Sequence, residues 1–286
     1  MYKSDNVLLV CALLLSAIII NAIGSDFFPI KVYTIDSADN KLRTKSCKGK
    51  LNGEFLVLKS FIKAHDVVFD VGASIGCYTK ELLSLNVPLS IYDFEPVPEI
   101  YATLVVNIKN GKNYKSSDNK DIKFFNIALS DKNSVCDFYY VPQAKERSSL
   151  YLRKSFINKL KSEKISIETM SLNDFCYRQS VDHINFLKID TEGAEYAILR
   201  GAQDMLEKHA IDYIQFEYGG TYLDAKTTLK EICQYLTFLR YVIFKIVPDG
   251  LIHINVWRDT LEDYKYSNFF VVSRELFNQF GLMKFN

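Results

Sequence analysis

Short apolar runs alternate with amphipathic stretches along most of the chain. Residues 66–71 (DVVFDV), 89–94, 121–128 (DIKFFNIA), 184–189 (INFLKI) and 211–216 (IDYIQF) are rich in β-branched and aromatic side chains, the pattern of strands buried on both faces. Helical segments are expected between them at 75–85, 98–109, 194–208 and 227–239, after a lead-in helix at 53–64. Repeated strand–helix units predict an α/β fold of the doubly wound kind, a mostly parallel sheet covered on both faces. Residues 134–141 alternate like a solvent-facing strand. From 241 onward the pattern changes: 241–247, a Pro-Asp-Gly turn, 251–256 and 268–272 follow closely, which predicts hairpins at one sheet edge.

The two ends of this pattern divide the chain. Residues 7–24 carry no charge and are nearly all apolar as far as 20, just long enough to span a bilayer. They predict a single-pass N-terminal transmembrane helix, with a cleaved signal peptide as the rival, since Lys3 precedes the run and Ala22, Ile23 and Gly24 follow it. Flanking charge mildly favours a cytoplasmic body. The expected division is an anchor or signal segment at 1–25, a connector at 26–58 and a catalytic domain at 59–286. Within it, residues 143–165 read as a basic insertion with seven basic against two acidic residues. That insertion is either a solvated helix or a lid and contact surface for an anionic substrate or lipid headgroup.

Composition narrows the function classes. In 286 residues, 48% are hydrophobic and 35 Lys+Arg balance 34 Asp+Glu, which provides a large core and excludes a disordered tail protein. No nucleic-acid partner is expected, because phosphate binding needs a basic excess. The six cysteines contain no Cys-x-x-Cys pair, so no metal centre is expected either.

In doubly wound sheets ligands lie beyond the carboxyl ends of the strands. At the first end, Asp70-Val71-Gly72-Ala73-Ser74-Ile75-Gly76 joins a strand to a helix through glycines that admit a ligand to the backbone. It fits the dinucleotide fingerprint poorly, because Ser74 and Cys77 stand where its later glycines belong. The same string is a Gly-x-Ser-x-Gly elbow, which leaves a hydrolase with nucleophile Ser74 and partner His253 as a minor alternative. The third possibility is an S-adenosylmethionine site. Glu95 follows Asp70 by 25 residues, near the spacing of a ribose-binding carboxylate, whereas alternation turns Asp93 toward a sheet face. Asn126 and Ala128 lie at the third strand end, where an adenine edge fits. At the fourth, Asp190 and Glu192 project into the crevice while Glu195 starts a helix, and Glu217 ends the fifth strand. An acidic rim suits a cationic sulfonium, and no Lys or Arg stands in the glycine loop to cradle phosphate.

Taken in order, VFDVGASIGCYT, YDFEPVPEIYATL, FNIALSD, LKIDTEGAEYAILRGA and IDYIQFEYG resemble the FkbM-type methyltransferases, a branch of the class I S-adenosylmethionine-dependent enzymes. The resemblance covers about 66–220, with a weaker echo at 268–273. It implies a seven-stranded sheet whose last strand is antiparallel, and O-methylation of a hydroxyl on a sugar, glycan or small metabolite. It also implies that Asp70, Gly72 and Gly76 line the cofactor's methionine end, with Ser74 in the same cofactor-binding loop, that Glu95 takes its ribose, and that the turn beginning at Asp190 meets cofactor or acceptor. Ser74 replaces the Asn expected in the loop. Asp190 or Glu192 is the expected base and Glu217 an acceptor contact. A membrane-tethered binding module without catalysis is the alternative.

Overall fold

The computed structural model describes residues 30–35, 52–111, 114, 120–153 and 161–279. In chain order its strands are β1 (Val32–Thr34), β2 (Asp66–Val71), β3 (Leu89–Phe94), β4 (Lys120–Phe125), β5 (Ala128–Ser130), β6 (Ser134–Tyr140), β7 (Glu163–Ser171), β8 (Ile184–Ile189), β9 (Ile211–Tyr218), β10 (Tyr241–Val247), β11 (Gly250–His253) and β12 (Ser267–Ser273). The main sheet has the order β1-β11-β10-β12-β9-β8-β2-β3-β4. Five neighbouring strands, β9, β8, β2, β3 and β4, are parallel, and β12 runs against β9.

The sheet is therefore nine-stranded and mixed, a correction to the seven strands implied by resemblance. The seven from β4 to β10 include the expected antiparallel β12. Two more arise because Pro248 and Asp249 fold β11 back on β10, leaving an edge that β1 pairs in parallel. β1 and the first turns of the lead-in helix fall inside the segment expected to be connector.

Alternation along β2 sends Val68 and Asp70 to one face and Phe69 and Val71 to the other. On the first face lie α1 (Glu54–Phe61), α2 (Cys77–Ser84) and α3 (Pro98–Lys109), with Val57, Leu58 and Phe61 packed among Val68, Phe186, Tyr213 and Phe270. The opposite face is covered by α4 (Leu172–Gln179), α5 (Glu195–Gly201) and α6 (Gln203–Glu207). After α7 (Thr221–Ala225) comes α8 (Leu229–Phe238), and after β12 the chain reaches α9 (Arg274–Gln279). Phe175, Ile198, Leu199, Ile232 and Leu236 bury Phe69, Val71, Ile189 and Phe216 there. Each such side chain contributes roughly 1.5–3 kcal/mol.

A second sheet, β5-β7-β6, flanks the expected insertion. β7 alternates Ile165, Ile167 and Thr169 beneath a charged surface, so the segment 143–165 ends inside a strand. Its basic excess is partly neutralised within the chain: Lys145 pairs with Glu99, Lys164 with Asp137 at 2.6 Å and Arg153 with Glu192 at 3.0 Å. The apolar run 7–24 lies outside the described residues. Among the described residues no helix is long and apolar enough to cross a membrane.

Candidate active site

From β2 the chain steps outward to β3 and β4, then returns to the other side of β2 for β8 and β9. This reversal leaves a crevice beyond the carboxyl ends of β2 and β8. A cleft opens there. Its walls are largely apolar, with Val71, Phe94, Ile100 and Ile127 from the main framework and Leu129, Phe138 and Leu150 from the side of the second sheet. Of the residues expected from sequence, Gly72, Ser74, Glu95, Ala128, Asp190 and Glu192 line it. Asp70, Gly76, Asn126 and Glu217 are not among its lining residues.

The glycine loop is held by backbone and carboxylate contacts together. The N–H groups of Gly72 and Ala73 donate to the Phe94 carbonyl at 3.0 and 2.9 Å. Gly72 has φ +85°, and a Cβ there would sit 2.0 Å from the carbonyl oxygen of Asp190, so the ends of β2 and β8 touch only through glycine. Ser74 also lies at positive φ and donates its N–H to Glu95 Oε2 at 3.1 Å, while Val97 N–H donates to Glu95 Oε1 at 2.9 Å. Glu95 is thus both a cleft wall and the clamp on the loop, and burial pushes its pKa up to about 7. Asn126 supports it from outside, donating to the carbonyls of Glu95 and Pro96 at 2.9 and 3.0 Å. Gly76 faces α3, where a Cβ would press on Ile108 and Leu104 side chains.

Asp70 points under α2. It stands beside Asp93 in the β2–β3 register, and both carboxyls are buried around Thr79, whose hydroxyl lies 3.2 Å from Asp70 Oδ2 and 3.1 Å from Asp93 Oδ2. One hydroxyl proton serves only one carboxylate, so the second contact needs a proton on a carboxyl. Burial followed by Asp70's charge raises Asp93 well above its ordinary range. Asp70 rises to about 6, by burial first and with Asp190's charge adding to it, against the opposing pull of Lys188. Raised folded-state values mean stability that is complete below the unfolded carboxylate range and lost as pH climbs through about 6. Asp93→Asn is therefore expected to raise the unfolding free energy at pH 8 and to flatten its decline as pH rises above the unfolded carboxylate range, as followed by thermal melts. An unchanged pH slope would contradict this pairing.

The register builds a second polar feature that the sequence reading missed. It aligns Asp93, Asp70, Lys188 and Gln215 in one row across four strands. Two positions farther along, Glu217 faces Asn268 across β9 and β12, and Asp190 follows β8. Lys188 is only 3% exposed, and its Nζ lies 3.0 Å from Asp190 Oδ2 and 3.9 Å from Glu54 Oε1. A lysine within an otherwise apolar two-sided strand was the signal for it. Burial raises the pKa of Asp190, yet the Lys188 charge and the hydrogen bonds from Glu217 and Lys188 outweigh it and hold the carboxyl low. Glu217 is raised well above its ordinary range by burial first, then by the charge of Asp190 and the hydrogen bond to it. The pair is best described as one ionised and one protonated carboxyl.

Glu192 departs from both. It sits at φ +57°, its carbonyl accepts from Ser149 Oγ at 2.7 Å, and its carboxylate accepts from Arg153 Nη1 at 3.0 Å. Burial outweighs the arginine and pushes it up to about 7. Glu195 opens α5 as expected, but its carboxylate folds back on the preceding turn, accepting the N–H groups of Thr191 and Gly193 at 2.9 Å. Residues 148–153 thus form a strap latched to the cleft rim. Arg153→Met is expected to speed amide hydrogen exchange across the strap about tenfold without changing exchange in β2 or β8. Uniform exchange rates in both proteins would show that the ion pair does not latch it.

The hydrolase alternative fails on distance. β11, which carries His253, is five strand spacings from β2, on the order of 24 Å. His253 packs on Phe244 and Phe277, and burial lowers its pKa to about 4.

The sequence is similar to known proteins. The family described as the methyltransferase FkbM domain matches residues 70–243. The 2-O-methyltransferase NoeI of Sinorhizobium fredii is 26% identical over 164 residues, covering 54% of this chain and 64% of NoeI. The 31-O-demethyl-FK506 methyltransferase FkbM of Streptomyces tacrolimicus is 25% identical over 167 residues, covering 50% and 62%. The chain thus spans just under two thirds of the length of these relatives. A crystal structure of methyltransferase FkbM from Methylobacillus flagellatus KT aligns at 18% identity with a TM-score of 0.46, over 73% of this chain and 43% of that one.

Proposed function

The chain belongs to the methyltransferase FkbM domain family, and on that premise we propose that it transfers a methyl group from S-adenosylmethionine to a hydroxyl of a sugar, glycan or small metabolite. The observation that carries this reading is the cleft at the β2–β8 reversal, which has an apolar body, a carboxylate at the β3 end and a charged carboxylate at the β8 end. The family's named O-methyltransferases support a hydroxyl acceptor.

The cleft's residues fit the donor. Phe94, Ile127, Ala128 and Leu129 offer an apolar slot for an adenine ring. Glu95 uses one lone pair on each oxygen for Ser74 and Val97, and an ionised carboxylate has about four acceptor sites, so two remain for a ribose diol. Gly72 keeps the loop thin, and Asp190 places negative charge where a sulfonium and an amino group need it. When bound, S-adenosylmethionine supplies a methyl group on cationic sulfur, which keeps the electron pair of the broken S–C bond.

Asp190 then takes the proton of the acceptor hydroxyl as the oxygen forms its new bond to carbon. Glu217, joined to Asp190 by a hydrogen bond and facing Asn268, marks the acceptor side. Glu192, bound by Arg153 at the rim, closes the cleft rather than acting as the base. The full chain incubated with methyl-¹³C-labelled donor and a panel of methyl glycosides is expected to yield labelled methyl ethers. Donor binding without transfer to any glycoside would favour the non-catalytic binding module.

A further inference from the structure

We propose that Lys188 is a positioning residue for this reaction: from beneath the cleft it holds Asp190 as the charged member of the Asp190–Glu217 pair, so that the acceptor's proton has one defined destination. The inference rests on the methyltransferase reading and adds to it a residue outside the cleft. Its basis is how hydrogen bonds are shared around one buried ammonium. Three carboxylates surround Lys188: Asp190 ahead of it on β8, Glu54 from α1 and Asp70 beside it on β2.

Each of the three also has another donor, which for Asp190 is Glu217. Glu54 accepts from Asn52 Nδ2 at 2.8 Å and from Gln215 Nε2 at 2.9 Å, and Asp70 has Thr79. The Tyr78 ring of α2 lies 5.0 Å from Nζ. Of the two carboxylates within ion-pair distance, Asp190 at 3.0 Å is the nearer and Glu54 at 3.9 Å the farther. Farther out, Glu217 on β9, Tyr266 before β12, and Glu192 and Glu195 in the turn after β8 complete the titratable groups facing Asp190.

Two carboxyls joined by a hydrogen bond carry one proton between them, and a cation on one side decides which keeps it. Lys188 contacts Asp190, so the proton stays on Glu217 and Asp190 remains free to accept another. In the transfer the acceptor O–H bond breaks, its proton passes to Asp190, and the oxygen's electron pair makes the new C–O bond. A purely structural lysine, serving only as counter-charge to Glu54 and Asp70, would leave the protonation of Asp190 untouched.

The test compares the full chain with Lys188→Met and Lys188→Gln, the second retaining a polar end. The acidic limb of the methyl glycoside turnover profile is expected to move up by about two units, so that rate is lost on the acidic side and recovers toward neutral pH. Affinity for S-adenosylhomocysteine should stay within about threefold. An acidic limb that stays in place, whatever the loss of rate, overturns the proposal. Should neither variant fold, ¹³C NMR titration of the carboxyl carbons in the unmodified chain decides: Asp190 ionised and Glu217 protonated at pH 7 is the expected state, and the reverse overturns it. Failure of the unmodified chain to bind S-adenosylhomocysteine would instead remove the methyltransferase reading itself.

Discussion

Asp190→Asn is expected to lower turnover by about 100- to 10,000-fold while S-adenosylhomocysteine still binds within a few-fold of its original affinity. Asparagine keeps the size and an oxygen that accepts from Glu217, but it cannot take a proton. Lys188 keeps Glu54 and Asp70 nearby, so the buried ammonium is not abandoned and the fold survives. In the unmodified chain the Asp190 carboxyl lies below its ordinary range, so its contribution to rate is lost only when pH falls through that depressed value. Activity from this group is therefore flat across neutral pH. Glu192→Gln differs, because Glu192 titrates near 7 and sits under Arg153; a small loss there with a large one at Asp190 separates the two carboxylates. Equal turnover of Asp190→Asn and the parent in a steady-state assay would remove Asp190 as the base.

Gly72→Ala carries the second large effect. The added Cβ meets a backbone carbonyl oxygen at 2.0 Å, and that carbonyl belongs to Asp190, whose N–H is itself fixed to the Val71 carbonyl at 2.9 Å. Neither strand can yield without breaking the β2–β8 ladder, and φ +85° adds strain for any L side chain. The expected cost is about 3–5 kcal/mol, read as a lower denaturant midpoint, with donor binding lost. A protein with the parent's midpoint and affinity would mean that the two strand ends do not meet as described.

The sequence made the framework legible where local signals coincide. Residues 66–71, 89–94, 184–189 and 241–247 are predominantly apolar runs, and the strands have those limits. Pro98 opens the helix that ends at Lys109 as expected. Longer-range facts were hidden. Alternation correctly turned Asp93 away from the cleft, and the same rule applied to Asp70 would have sent it to the same face. Asp70 was instead read with the loop that follows it. The row joining Asp70, Lys188 and Gln215 depends on register between strands, with β2 and β8 more than a hundred residues apart, which no local pattern encodes. Glu54 lay in a stretch read as connector, and β7 was masked by the charges on its exposed side.

The neutral overall charge also has a local explanation. Acidic groups gather at the strand ends, and three of the insertion's cations are engaged with carboxylates of the same chain. At the cleft the Asp190 carboxylate is supported by a buried lysine, a polarity suited to a sulfonium.

Calorimetric titration of the full chain with S-adenosylmethionine and with S-adenosylhomocysteine tests the central claim most directly. The expected result is one site per chain for each, at micromolar affinity on the order of −8 kcal/mol, weakened when Glu95 is replaced by Gln. No heat of binding for either compound at millimolar concentration, from a chain that melts cooperatively, would contradict it.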